Sequence, residues 1–212
     1  MALSLLGCNS EKPNVLIIGD SISVGYAPHV KRKLKNIADV KHINENAQHT
    51  SYGLSNIDSW LQNNKWEVIL FNWGLWDLCY RIPDSTSVGK KDKISGIQET
   101  SLTDYKQNLD SLVKILKETN AKLVFVTTTF VPEGEPGMFT KDVPKYNQIA
   151  KEVMNQNDIL VIDLYDKSIE IHSQFGKGYN NVHYYKRGYK KLGALISDKL
   201  ISIVNKANKT SS

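Results

Sequence analysis

At 212 residues, with 41% hydrophobic and 23% charged side chains, the chain is long enough for one ample domain with a sizeable core. No stretch approaches the ~18 consecutive apolar residues that a membrane-crossing helix needs. The net charge of +5 is spread over clusters such as Lys31-Arg32-Lys33 and Lys190-Lys191, which read as solvated helix faces and argue against a nucleic-acid partner.

In chain order, the first feature is Leu5-Leu6-Gly7-Cys8, which resembles a bacterial lipobox but lacks a basic n-region. Ser10 and Lys12 supply the polar tether that would follow a lipidated cysteine. The expectation is therefore an exported lipoprotein, periplasmic or at the cell surface, with residues 1–12 as tether and a lipid anchor on Cys8. An accidental match would leave a cytoplasmic protein. Residues 13–207 read as a single domain without repeats or linkers.

Strands are predicted at Val15–Ile18, Asp39–Ile43, Val68–Trp73, Lys122–Thr128 and Ile159–Leu164, several of them continuous apolar runs. Apolar stripes at helical spacing alternate with them. One runs through Tyr26, Val30, Leu34 and Ile37, another through Leu102, Tyr105, Leu109, Leu112 and Leu116, and a third through Leu192, Leu195, Ile196, Leu200 and Val204. This alternation predicts a three-layer α/β/α sandwich around a mainly parallel five-stranded sheet, with its site beyond the carboxyl ends of the strands. Arg81 to Thr100 reads as an exposed insertion and Val131 to Gly137 as a rigid turn.

Gly19-Asp20-Ser21-Ile22-Ser23 follows the first strand and opens a helix, so Ser21 sits where backbone N–H groups are free and negative charge is favoured. A helix N-cap is the commoner role for such a serine. That role does not account for His183, in Asn180-Asn181-Val182-His183 just before the closing helix. Together the two form a candidate nucleophile and base. His29, His42, His49 and His172 fit no ligand spacing, and Cys79 stands alone, so packing or surface roles are expected and no metal or cofactor is implied.

Gly19-Asp20-Ser21-Ile22, Gly53, Gly74-Leu75-Trp76-Asp77 and Asn180-Asn181-Val182-His183 resemble, in order and spacing, the blocks of the GDSL or SGNH hydrolases. The resemblance spans Asn14 to about Val204. It implies a flavodoxin-like fold and an esterase in which Ser21 attacks an ester carbonyl and His183 takes its proton. The Ser21 and Gly53 N–H groups and one side-chain amide would hold the oxyanion. Two positions depart from the pattern. Trp76 stands where the family has an oxyanion asparagine, leaving Asn72 as the nearest amide, and Asn180 stands where the family has the aspartate that orients histidine. Asp77 is a nearby carboxylate.

These readings lead to a serine esterase removing a small acyl group, acetyl foremost, from a carbohydrate or similar polyol. Trp73, Trp76, Tyr80, Tyr179, Tyr184 and Tyr185 are candidate faces for sugar rings. The alternative, drawn from Trp76 and Asn180, is a catalytically silent binding protein that keeps the cleft.

Overall fold

The β-branched run at the start of the domain becomes the middle-left strand of a five-stranded parallel sheet. The computed structural model describes residues 12–62, 64–83 and 90–210, with side chains through 206. Cys8 and the proposed tether ahead of Lys12 lie outside the described residues. The elements are β1 (Asn14–Ile18), α1 (Ser21–Leu34), β2 (Asp39–His42), α2 (Thr50–Leu61), β3 (Val68–Phe71), β4 (Tyr80–Ile82), β5 (Lys90–Lys91), β6 (Ile97–Gln98), α3 (Leu102–Glu118), β7 (Lys122–Val126), α4 (Val143–Gln156), β8 (Leu160–Ile162), α5 (Tyr165–Phe175) and α6 (Lys186–Thr210).

The main sheet runs in the order β2-β1-β3-β7-β8, every pair parallel. Val15, Ile17, Ile18, Val68, Ile69, Leu70, Phe71, Val124 and Phe125 are fully buried, because helices cover both faces of the sheet. One layer packs α1 on α6 and α6 on α5; the other packs α2 on α3 and α3 on α4. The stripe residues Val30, Leu34, Leu109, Leu112, Leu116, Leu192, Ile196, Leu200 and Val204 point into these layers with no solvent exposure. The α/β/α sandwich expected from the alternation is thus present.

The strands end earlier than predicted. β3 stops at Phe71 and β7 at Val126, although the Asn72 N–H still donates to the Ile18 carbonyl at 3.0 Å. Beyond those points the chain turns into loops over the carboxyl edge. Strand order reverses between β1 and β3, which opens the crevice where sites of such sheets form.

The region from Arg81 to Thr100 is more than an exposed insertion. It contributes to a small antiparallel sheet in the order β5-β4-β6. That sheet is stitched to the Val131–Gly137 turn by Tyr80 N–H to the Gly137 carbonyl at 2.7 Å and Lys93 N–H to the Pro136 carbonyl at 2.8 Å. Both loops therefore act as one wall over the carboxyl edge.

Candidate active site

Ser21 is the first residue of α1, and the capping role belongs to its neighbour. The Asp20 carboxylate accepts from the Ile22 N–H at 2.9 Å and the Ser23 N–H at 3.4 Å, satisfying two of the orphan donors of the first turn. The Ser23 hydroxyl donates to the Asp20 carbonyl at 2.6 Å and closes the same turn. Asp20 is almost fully buried, and that burial pushes its carboxyl up to about 6 against the pull of the two N–H groups. The Ser21 hydroxyl is left for other work, and its own N–H takes no partner among the described residues.

That hydroxyl lies 2.9 Å from His183 Nε2, although the two residues stand 162 apart in sequence. The histidine is held from its other side. Asn181 Oδ1 faces the backbone N–H of His183 at 2.9 Å and Nδ1 at 2.8 Å. A backbone N–H only donates, so the facing asparagine atom is the carbonyl oxygen. Nδ1 must then carry the ring proton, and Nε2 presents a bare lone pair to Ser21. Half-burial first, and then the charges of Lys91 and Lys177, lower the His183 pKa, with Glu135 opposing them. A neutral imidazole accepting a serine proton is the protonation state that general-base chemistry requires.

The orienting asparagine is Asn181, not Asn180 as expected. Asn180 is exposed, and its side chain makes no hydrogen bond among the described residues. The cause is local. Gly178 takes φ +127°, and the Asn181 N–H returns to the Gly178 carbonyl at 3.3 Å. That turn leaves Asn181 two residues ahead of His183, the spacing at which an asparagine side chain bonds its own backbone. The spacing is visible in Asn181-Val182-His183 and is the signal that sequence reasoning passed over.

Other expected residues take different parts. Gly53 lies in the first turns of α2, where its N–H is spent on the His49 carbonyl at 3.0 Å. It is not an available oxyanion donor. Its small size serves packing, since a Cβ there would come within 2.7 Å of the Trp73 indole. Asn72 is buried, and its amide donates to the Val126 carbonyl at 2.8 Å, tying β3 to β7. Gly74 holds φ +148° with Thr128 Oγ1 where a side chain would start, a position only glycine fits.

Asp77 is fully buried and accepts from the Thr50 N–H at 2.9 Å and the Thr50 hydroxyl at 2.6 Å. It anchors the start of α2 and supplies no carboxylate to His183. Burial raises its carboxyl to about 6. Trp76 is half-buried under the Arg81 guanidinium, which lies 4.6 Å from the ring centroid. Its indole N–H makes no hydrogen bond among the described residues, and of the expected donors only the Ser21 N–H is uncommitted.

One family model, described as a protein of unknown function (DUF459), matches residues 14–196. The chain belongs to the DUF459 family. No curated protein matches it. Among solved structures, a lipase/acylhydrolase from Enterococcus faecalis is similar, with TM-score 0.72 at 18% identity over 90% of this chain and 96% of the other. An acetyl xylan esterase, AlAXEase, gives TM-score 0.69 at 15% identity over 88% and 98%. The acetylxylan esterase Axe2 from Geobacillus stearothermophilus gives 0.68 at 15% over 87% and 92%. The fold of this DUF459 chain is thus that of the GDSL/SGNH hydrolases.

Around the pair, the DUF459 protein sorts its aromatic residues sharply. Trp73 and Tyr184 are core, at 0% and 1% exposure, whereas Tyr179 and Tyr185 stand out at 79% and 61% on the segment carrying His183. Tyr80 packs edge-on against Phe139. His172, read from sequence as a packing residue, packs between Phe130 and Tyr184 and also bonds the Asn181 carbonyl through Nε2 at 2.8 Å. It thereby holds the turn that holds His183. His49 caps α2 by accepting from the Tyr52 N–H at 3.2 Å. Lys91 pairs with the buried Glu135 at 2.7 Å, on the wall formed by β5 and the Val131–Gly137 turn.

Proposed function

We propose that this DUF459 protein is a serine ester hydrolase that removes a small acyl group, acetyl foremost, from a carbohydrate or similar polyol through an acyl-enzyme on Ser21. The observation that carries the reading is the 2.9 Å approach of Ser21 Oγ to the unprotonated Nε2 of His183, with Nδ1–H fixed by Asn181. As Oγ attacks the ester carbonyl, Nε2 takes its proton, and the tetrahedral oxyanion forms beside the Ser21 N–H at the start of α1. Collapse expels the alcohol, which receives that proton. Water then repeats the sequence on the acyl-enzyme and frees Ser21.

The exposed Tyr179 and Tyr185 support a sugar-bearing substrate, since flat aromatic faces stack on sugar rings while the buried Trp73 and Tyr184 offer none. The likeness to acetyl xylan esterases points the same way. The Leu5–Cys8 segment supports an exported, lipid-anchored protein, and Cys8→Ser should release it from the membrane fraction of its producing cell.

The test is release of nitrophenol from p-nitrophenyl acetate and of acetate from acetylated xylo-oligosaccharides, by wild type beside Ser21→Ala. The expected result is a rate that falls by roughly 10³-fold or more in the variant. A second reading, a silent glycan-binding cleft, is favoured by the commitment of the Gly53 N–H and the Asn72 amide to structure. Folded wild type with no Ser21-dependent rate on either ester, yet retaining acetylated glycans, would establish that second reading instead.

A further inference from the structure

A broad groove lies at the end of the sheet opposite Ser21. It occupies about 960 Å³ between the amino-terminal ends of β3, β7 and β8 and the last turns of α6. Its floor is apolar: Leu160 is 45% exposed there, beside the partly buried Val161 and Ile203. Its rim is cationic, with Lys65, Lys122, Lys199 and Lys206 among the lining residues. Glu67 is the one acidic residue among the described lining residues. Its carboxylate already accepts from the Asn14 N–H at 2.7 Å and faces Lys65 at 3.5 Å.

Past the groove the edge carries both signs: exposed Asp39 opens β2 beside Asn14, and exposed Glu118 ends α3 next to Thr119. Lys41 lies 5.7 Å from the Trp66 ring, and Lys12 reaches across to the Lys35 carbonyl at 2.8 Å. The lysines are spread across the edge of the sheet and α6 and do not converge on one anion. The chain ahead of Lys12, which carries Leu3, Leu5, Leu6 and Cys8, joins β1 at this same edge, where Asn14 bonds both Glu67 and the Lys65 carbonyl.

We propose that this edge docks on an anionic lipid bilayer. The lysines meet lipid phosphates while Leu160 and Ile203 enter the boundary between headgroup and acyl chain, the division of labour of interfacial membrane binders. Docked so, the protein presents Ser21, at the other end of the strands, away from the lipid. The proposal does not rest on the ester-hydrolase reading, and its readout is independent of activity.

The test is co-sedimentation of the full chain, carrying Cys8→Ser so that no acyl group contributes, with two kinds of vesicle. One is phosphatidylcholine alone, the other phosphatidylcholine with phosphatidylglycerol. Binding to the anionic vesicles only, weakening as salt is raised, is expected. Each lysine at such a surface contributes about fivefold in partitioning, so Lys122→Gln with Lys199→Gln should weaken binding by about 25-fold. Lys186→Gln with Lys190→Gln, the same charge change at the start of α6 near the catalytic end, should leave binding within about twofold. Three outcomes would overturn the proposal: no sedimentation with anionic vesicles, equal binding to neutral vesicles, or equal loss in both double variants. The last would show a response to net charge alone.

Discussion

Asn181 does for His183 part of what a carboxylate does in a serine-protease triad. It fixes the ring and the tautomer but adds no charge to stabilise the imidazolium. Asn181→Ala should therefore lower kcat by roughly 10²-fold or more, since tautomer and ring orientation are both lost. Asn180→Ala should stay within about threefold of wild type, because the exposed side chain bonds nothing there. Kinetics of the two variants side by side separate the roles. The pH profile carries a second prediction. Because the His183 pKa is lowered from 6.5, the acid limb of kcat/KM should have its midpoint below 6.5, activity falling as Nε2 gains a proton. Asn181→Asp places a negative charge on Nδ1–H, favours the imidazolium and should move that limb to higher pH. A limb that does not move would remove Asn181 from the base.

Two buried carboxylates organise the elements that carry the site, Asp20 at the start of α1 and Asp77 at the start of α2. Each has its folded pKa raised from 3.8 to about 6 by burial. The folded protein therefore prefers their protonated forms. The stability they contribute is complete below pH 3.8 and is lost as pH rises through about 6. Asp77→Asn keeps an oxygen for the Thr50 N–H and removes the buried charge. Denaturant unfolding should then show up to roughly 3 kcal/mol more stability above pH 6 and a shallower loss through that range, the remainder belonging to Asp20. Gly53→Ala, by contrast, drives a methyl into the Trp73 indole and should cost about 1–3 kcal/mol in the same assay. The parts of this arrangement differ in how far the sequence disclosed them. The five strands are legible because apolar runs bounded by turn residues have one economical placement, whereas the pairing of Ser21 with His183 rests on the resemblance of short blocks, a helix N-cap being the commoner role for such a serine. Gly53 was misjudged because α2 begins at Thr50, which draws its N–H into the helical ladder. The left-handed turn just before it falls on Gln48 at φ +48°, a residue that does not advertise such a conformation. β4, β5 and β6 escaped notice because strands of two and three residues are too short to carry an alternation.

Across the whole molecule, α6 links two ends with different chemistry. It begins directly after His183 and Tyr185 and runs back to Lys199 and Ile203 in the lysine-rimmed groove. The hydrogen-bonded Ser21–His183 pair and the proposed membrane edge therefore sit at opposite ends of the same strands, which lets either be altered alone. Lys122→Gln with Lys199→Gln should leave hydrolysis of a soluble ester unchanged while lipid binding falls. The central claim is that His183 activates Ser21 as a nucleophile, and the most direct measurement is intact-protein mass spectrometry after reaction with a fluorophosphonate. A single adduct that maps to Ser21, forms on wild type and is slowed by roughly 10²-fold or more in His183→Ala is the predicted result. Labelling of some other residue, or a Ser21 adduct forming equally fast without His183, would contradict the account.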